Sequence, residues 1–313
     1  VISYDTPRYK SNDDTWIMTK DVIEANKDRW LNENKGFGSY NTIFAEVKCP
    51  WIEGLSYRIN IGLNFRSNKN GSFNGQGINN KDTKSENNAS VTENQTRNWA
   101  IENLLTYDRT FAEKHHVNLV AMYSAEQTTL EQSGSRGTNI PAEFFQYYFI
   151  SEAQKEPLPS NFRYWQSGLI SWMGRAMYSY DNKYMASVAL RSDASSRLAK
   201  GHQWHTYPAI SAGWNIAREE FMESTKSWLD NLKFRVGYGE TSNQSVEPYS
   251  TWGTLSTFNL YFGDAQKTGY YVSQLPNAEL GWEYSKTWNF GLDFSMFNGR
   301  LSGTLEYYIQ KTN

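Results

Sequence analysis

The chain is poor in the features that mark most functional classes. Of its 313 residues one is cysteine (Cys49), eight are proline and four are histidine. A lone cysteine excludes an internal disulfide framework. Mean hydropathy is −0.71, and no apolar run approaches the roughly 20 residues that a membrane-spanning helix needs. That excludes a helical membrane protein but leaves a β-barrel open, since barrel strands are apolar on one face only. Neither sign of charge dominates: the net charge is −2, so nothing draws the chain to nucleic acid. Gly-x-Ser-x-Gly, phosphate-loop and zinc-helix motifs are all missing. His202 and His205 in His-Gln-Trp-His lack the neighbouring Cys or carboxylate cluster of a metal site. His115-His116 reads as a solvated pair at a turn, and Glu219-Glu220 as charge at a helix start. No cofactor, metal or catalytic residue is expected.

Aromatic residues, by contrast, are abundant at 16%, with 12 Trp and 21 Tyr. Many fall in a two-residue rhythm. Over 287–296, Trp288, Phe290, Leu292, Phe294 and Met296 alternate with Thr287, Asn289, Gly291, Asp293 and Ser295. The pattern returns at 57–66 (Tyr57, Ile59, Ile61, Leu63, Phe65) and at 301–309 (Leu301, Leu305, Tyr307, Ile309). A strand sends alternate side chains to opposite faces, so each segment has one greasy and one wet face. Long strands with Trp and Tyr on the greasy face point to lipid on one side and water on the other.

This period predicts about ten strands, near 41–49, 55–66, 97–108, 114–127, 167–180, 184–193, 207–217, 230–240, 284–296 and 300–311. Short connections at 50–54, 109–113, 181–183 and 297–299 alternate with long ones at 67–96, 128–166, 194–206 and 241–283. Short turns on one rim and long loops on the other mark outer-membrane barrels. Asp181-Asn182-Lys183 and Phe297-Asn298-Gly299-Arg300 supply residues that tolerate φ > 0 in tight hairpins. The medium connector at Glu219–Leu229 is expected to form a short helix on the periplasmic rim, and residues 1–40 an extracellular loop region. Tyr178, Tyr180, Tyr184, Phe294 and Tyr57 are placed in an aromatic girdle at the periplasmic rim, and Phe65 and Tyr207 in one at the extracellular rim.

Several motifs resemble the barrel of SusC/RagA-family TonB-dependent outer-membrane transporters. They are Trp228-Leu-Asp-Asn-Leu-Lys-Phe-Arg-Val-Gly-Tyr-Gly239, Tyr207-Pro-Ala-Ile-Ser-Ala-Gly-Trp-Asn-Ile216 and Arg191-Ser-Asp-Ala-Ser-Ser-Arg197. Asn298-Gly-Arg-Leu-Ser-Gly303 with Glu306-Tyr-Tyr308 continues the likeness, which runs from about residue 40 to the end. The resemblance implies an all-β fold: antiparallel strands of a larger transmembrane barrel of about 22 strands, with 41–313 as barrel. It also implies import of oligosaccharides or peptides across the bacterial outer membrane, a SusD-like surface lipoprotein as lid, and TonB acting through parts not in this chain. No plug domain is recognised. About ten strands enclose too narrow a lumen for one, so the chain reads as an internal piece of a longer transporter.

Parity puts Arg58, Arg66, Arg175, Arg191, Asp193, Lys233, Arg235, Asp293 and Glu306 on the lumen side. Arg66, Arg191 and Asp193, toward the extracellular mouth, are candidates for binding substrate hydroxyls or carboxylates. In loop 128–166 an aromatic run of Phe144, Phe145, Tyr147, Tyr148, Phe149, Tyr164 and Trp165 offers faces on which sugar rings stack, with Tyr164 and Trp165 the candidate binding residues; packing within the loop or against the lid partner is the alternative reading of the run. Two rival readings stay open. One is an autonomous ten-stranded barrel enzyme drawing on His202, His205 and Asp193; the other is a soluble carbohydrate-binding β-protein.

Overall fold

The computed structural model describes residues 29–76, 86–154, 158–262 and 265–312. Ten strands make one sheet: β1 (Trp30–Lys48), β2 (Leu55–Asn74), β3 (Asn88–Phe111), β4 (His115–Thr138), β5 (Leu158–Tyr180), β6 (Tyr184–Ser195), β7 (Trp204–Asn215), β8 (Leu229–Asn243), β11 (Glu283–Met296) and β12 (Leu301–Thr312). Its order is β1-β2-β3-β4-β5-β6-β7-β8-β11-β12, a meander in which sequence neighbours pair. The hairpin β9 (Thr254–Phe262) and β10 (Ala265–Gln274) stands apart as a two-stranded sheet between β8 and β11. The sheet is antiparallel and does not close among the described residues. The described residues fall into two compact units, 29–41, 63–76, 86–98, 128–154 and 158–166 in the first, and 42–62, 99–127, 167–262 and 265–312 in the second.

In the second unit the register makes the greasy rows explicit. Val188 opposes Ile210, which opposes Tyr238; Tyr238 opposes Trp288, and Trp288 opposes Ile309. A soluble protein would bury this row. Here Val188, Ile210 and Ile309 are 53%, 54% and 53% exposed, and Leu305 and Tyr307 more so. The fully buried apolar residues of this unit are small or peripheral, such as Val120, Ala199, Ala217 and Leu229. An apolar outer face is stable only if its surroundings are apolar too, as in a bilayer.

The hairpin turns follow from local chemistry. Asp181 and Asn182 have φ of 50° and 52°, and Phe297, Asn298 and Gly299 have 58°, 58° and 77°. Asn and Asp tolerate this region because their side chains bond locally. Gly54, at φ +87°, is required twice over: a Cβ there would lie 2.1 Å from the Asp108 carbonyl oxygen.

The first unit carries a small conventional core of Phe73, Ala89, Ile140 and Tyr147. A 3₁₀ segment, Glu143–Glu152, delivers Tyr147 to it, kinked at Gln146 (φ 52°). Tyr147 and Tyr148 both donate to the Glu33 carboxylate, which also accepts from Lys35 Nζ at 2.9 Å.

Several expectations are corrected. β1 begins at Trp30 rather than near 41, so the last part of the expected 1–40 loop region is strand; most of the rest lies outside the described residues. β2 runs on to Asn74, β3 starts at Asn88, β4 reaches Thr138 and β5 starts at Leu158, all inside segments expected to be loops. Beyond the bilayer both faces of a strand meet water, so the backbone ladder continues while the greasy alternation stops. The hairpin β9–β10 went unseen inside 241–283 because apolar residues occupy both of its faces: Leu255 and Val272 on one, Phe258 and Tyr271 on the other. Where a helix is expected at Glu219–Leu229 there is one 3₁₀ turn, Glu220–Thr225, preceded by another at Ile216–Arg218, neither with a side-chain cap. So short a segment does not repay α-helix nucleation. Tyr207 belongs to the lumen row, because it opposes Arg191 in register. His115 and His116 open β4 just past the turn and are half-exposed, with His115 Nδ1 2.8 Å from the Tyr178 hydroxyl.

Candidate functional site

The lumen-side rows of the second unit hold two ion-paired clusters. The first is built by adjacent strands. β6 carries Arg191 and Asp193 two residues apart, hence on one face; β7 sets Tyr207 opposite Arg191 and His205 opposite Asp193. Arg191 Nε donates to both Asp193 oxygens, at 2.9 and 3.2 Å, and its Nη2 to Ser171 Oγ at 3.2 Å. The Tyr207 hydroxyl donates to Asp193 as well. Asp193 is 4% exposed, whereas the Arg191 side chain keeps 37% of its surface. A buried carboxylate needs such partners. Arg191 is therefore the member that can still reach a ligand.

Aromatic rings flank this pair. His205 stacks on Tyr284 with centroids 5.1 Å apart and on Tyr207 at 5.8 Å, with Trp282 at 6.5 Å. Its Nε2 is buried without a hydrogen-bond partner. Arg197, four residues past Asp193, donates to Ser167 Oγ and to the Val246 carbonyl, both at 3.2 Å. The result is a cationic and aromatic surface suited to binding, in which the acid is already committed.

In the second cluster Arg235 on β8 grips Asp293 on β11 with two bonds, Nε to Oδ2 at 2.8 Å and Nη2 to Oδ1 at 3.0 Å. Nη2 also donates to Glu306 on β12 at 3.0 Å, and Thr304 donates to Asp293 Oδ1 at 3.0 Å. The guanidinium reaches across because Gly291 stands opposite Arg235; a Cβ there would come within 2.9 Å of Nη2. A groove of about 540 Å³ adjoins it, lined by Lys233, Arg235, Ser187, Ser211, Asn118 and Asn289 among others.

Outside the membrane-spanning segments the carboxyls of Glu219 and Glu143 are among those perturbed. In the turn between β7 and β8, Glu219 accepts from the Tyr184 hydroxyl at 2.5 Å and the Trp214 indole at 3.0 Å, with Lys183 Nζ at 3.6 Å. Those bonds, the tyrosine's first, hold its carboxyl below the ordinary range. For Glu143, burial pushes the carboxyl up, but bonds from the Gln76 backbone N–H and the Asn87 amide, with Arg29 beside it, outweigh burial and hold it low.

Of the candidate site residues, Arg191 and Asp193 are brought together. Arg66 is exposed on β2, in the other unit. Tyr164 and Trp165 lie within β5 rather than a loop; Tyr164 is 58% exposed and Trp165 is half-buried. In the aromatic run, Tyr147 is buried and Phe144 exposed. His202 sits exposed in the β6–β7 connection. Sequence reasoning missed Tyr207, Ser171, Trp282 and Tyr284. Counting back from Trp214 on the outer row puts Tyr207 inside, so that signal was available; the others depend on strand register. Among the described residues no three His, Cys, Asp or Glu side chains cluster to hold a metal.

Residues 3–313 match the family described as TonB dependent receptor-like, beta-barrel. TonB-dependent receptor P26 of Formosa agariphila is 32% identical over 228 residues, which is 72% of this chain and 23% of that protein. TonB-dependent receptor SusC of Bacteroides thetaiotaomicron is 37% identical over 153 residues, 46% of this chain and 15% of that protein. Among solved structures, one titled as the RagAB peptide transporter superposes with a TM-score of 0.85 at 21% identity, covering 97% of this chain and 33% of that one. The chain thus spans a third or less of the proteins it matches.

Proposed function

Because the chain belongs to the TonB dependent receptor-like β-barrel family of the outer membrane, we propose that it forms ten neighbouring wall strands of a SusC-like nutrient importer. The full protein takes up oligosaccharides or peptides, is covered by a SusD-like surface lipoprotein, and is driven by TonB through segments outside this chain. The observation that carries this reading is the pairing of an exposed apolar row with an ion-paired polar row on the same strands. One faces acyl chains and the other an aqueous lumen.

In this role the lumen rows bind and guide cargo and do no chemistry. Arg191, anchored by Asp193 and Ser171, presents guanidinium N–H groups to carboxylates or hydroxyls without itself being mobile. The stacked rings of His205 and Tyr207, on the same row as Asp193 and Arg191, suit sugar rings or apolar peptide side chains. The rival hydrolytic site draws on Asp193, and the bonds from Arg191 and Tyr207 speak against it. A deletion strain tests the function: cells lacking the full-length protein lose TonB-dependent uptake of a labelled oligosaccharide or peptide pool. Unchanged uptake, or a protein that purifies from the soluble fraction without detergent, overturns it.

A further inference from the structure

Within the second unit the outward face of β8, β11 and β12 changes character at one height. On β11 the outward row runs from Met296, beside the short 297–299 turn, through Phe294, Leu292, Phe290 and Trp288, and then reaches Lys286. On β12 it runs from Leu301 to Ile309 and then reaches Lys311; on β8 it passes Phe234, Val236 and Tyr238 and reaches Glu240. The register sets these three ends side by side: Lys311 opposes Lys286, and Lys286 opposes Glu240. Lys286 is ten residues from Met296, or about 24 Å along the membrane normal at ~3.4 Å per residue and ~45° tilt. The apolar band of an outer-membrane barrel is about 25 Å tall. Both lysines therefore stand at its extracellular edge, one step above the Trp288 ring, a residue type that favours the interface.

The charges at this edge do not cancel: two ammonium groups share it with one carboxylate. Glu240 is already committed. It accepts from the Tyr238 hydroxyl, pairs with Lys286 Nζ at 3.4 Å, and keeps only 12% of its side-chain surface. Lys286 keeps 43% and sets its Nζ 5.4 Å from the Tyr284 ring centre. An ammonium has three N–H donors, so pairing with Glu240 leaves donors over. Lys311 is exposed and makes no ion pair among the described residues. The other acids of β11 and β12 nearest to it, Glu283 and Glu306, fall on the opposite face, bonded to Asn243 and Arg235. His205, stacked on Tyr284, brings no negative charge. Side chains directly opposite on paired strands have Cβ atoms about 5 Å apart, and like charges there repel. An anion that accepts from both lysines replaces that repulsion with charge-assisted bonds. Immediately below them Trp288 opposes Ile309, and these are 47% and 53% exposed. The ligand that fits a cationic edge above an apolar wall is an anion carried on acyl chains.

We propose that Lys286 and Lys311 bind the phosphate of an outer-leaflet lipid, the phosphate monoester of a lipid A headgroup, on the outside of the barrel wall. This goes beyond the import reading: it rests on the same membrane wall, but cargo in the lumen does not meet these side chains. Inorganic phosphate has the same chemistry without acyl chains, so the test includes both sources. The full-length protein in phosphatidylcholine nanodiscs is loaded with phosphorylated lipid A, and retained lipid A is counted by native mass spectrometry. Lys286→Gln with Lys311→Gln is expected to weaken retention about tenfold or more, the scale that two lysines at an anionic membrane surface supply. Lys286→Arg with Lys311→Arg should retain it. Dephosphorylated lipid A should be insensitive to both pairs of substitutions, and inorganic phosphate in excess should leave the phosphorylated lipid in place. Heat-modifiable migration checks that each variant is folded; Lys311→Gln alone, which keeps the Glu240–Lys286 pair, serves if the double variant is not. Cargo uptake, measured alongside, reports on the import reading alone. Equal retention of phosphorylated lipid A by wild type and the glutamine variant overturns the proposal, as does an equal loss of dephosphorylated lipid A, or displacement of the lipid by inorganic phosphate.

Discussion

Ile210 and Ala209 are adjacent on β7 and both exposed, so an ordinary surface argument would treat arginine at either position as harmless. Surface substitutions in water usually cost within about 0.5 kcal/mol. The register separates them. Ile210 lies between Val188 and Tyr238 on the apolar row, while Ala209 lies between Ala189 and Gly239 on the lumen row, where nothing charged is opposite. Ile210 is also near the middle of β7, which is flanked by Trp204 and Trp214. Arginine at the bilayer midplane of a barrel wall costs about 2–4 kcal/mol, and in a wet lumen close to nothing. Ile210→Arg should therefore destabilise the full-length protein by about 2–4 kcal/mol relative to Ala209→Arg. The assay is guanidinium unfolding of protein refolded into phosphatidylcholine vesicles, followed by tryptophan fluorescence. Two variants of equal stability would refute the assignment of faces, and a costlier Ala209→Arg would invert it.

Further predictions concern particular contacts. Gly54→Ala forces a Cβ against the Asp108 carbonyl at positive φ, and should cost more than about 1 kcal/mol in the same unfolding assay. Arg235→Met removes the bidentate partner of Asp293; with the site partly screened by water the loss should be about 1 kcal/mol, and Asp293→Asn in the same background should add little, as a double-mutant cycle would show. Glu219 has a depressed carboxyl, so its contribution is present above the ordinary carboxylate pKa and is lost as pH falls through the lower folded value. Melting curves against pH should show the wild type losing stability in that acidic window and Glu219→Gln, already less stable at neutral pH, losing less.

How far the sequence could be read depends on what each strand touches. Where a strand crosses lipid, as over 284–296 or 184–193, one face must be apolar and the period-two signal is strong. Where the same strands rise past the bilayer, as in Phe65 to Asn74 of β2, the hydrogen-bonded ladder persists but selection for an apolar face ends, and nothing periodic marks the strand. The hairpin β9–β10 was hidden for the opposite reason: Leu255, Phe258, Tyr270 and Tyr271 place apolar groups on both faces. In the candidate site, parity put Arg191 and Asp193 on the lumen side, yet not their partners. That Asp193 is buried beneath Tyr207, and shared between it and Arg191, depends on the offset between β6 and β7, which no local pattern encodes.

The central claim, that alternate residues of one strand face lipid and water, is tested most directly by a cysteine scan of β11. In a Cys49→Ser background of the full-length protein, each position from Thr287 to Met296 is replaced by cysteine in turn. A fluorophore there is challenged with brominated acyl chains and with a water-soluble quencher. The account predicts strict alternation: lipid quenching at Trp288, Phe290, Leu292 and Phe294, and aqueous quenching at Thr287, Asn289, Gly291 and Asp293. Uniform quenching by either agent along the strand would contradict it.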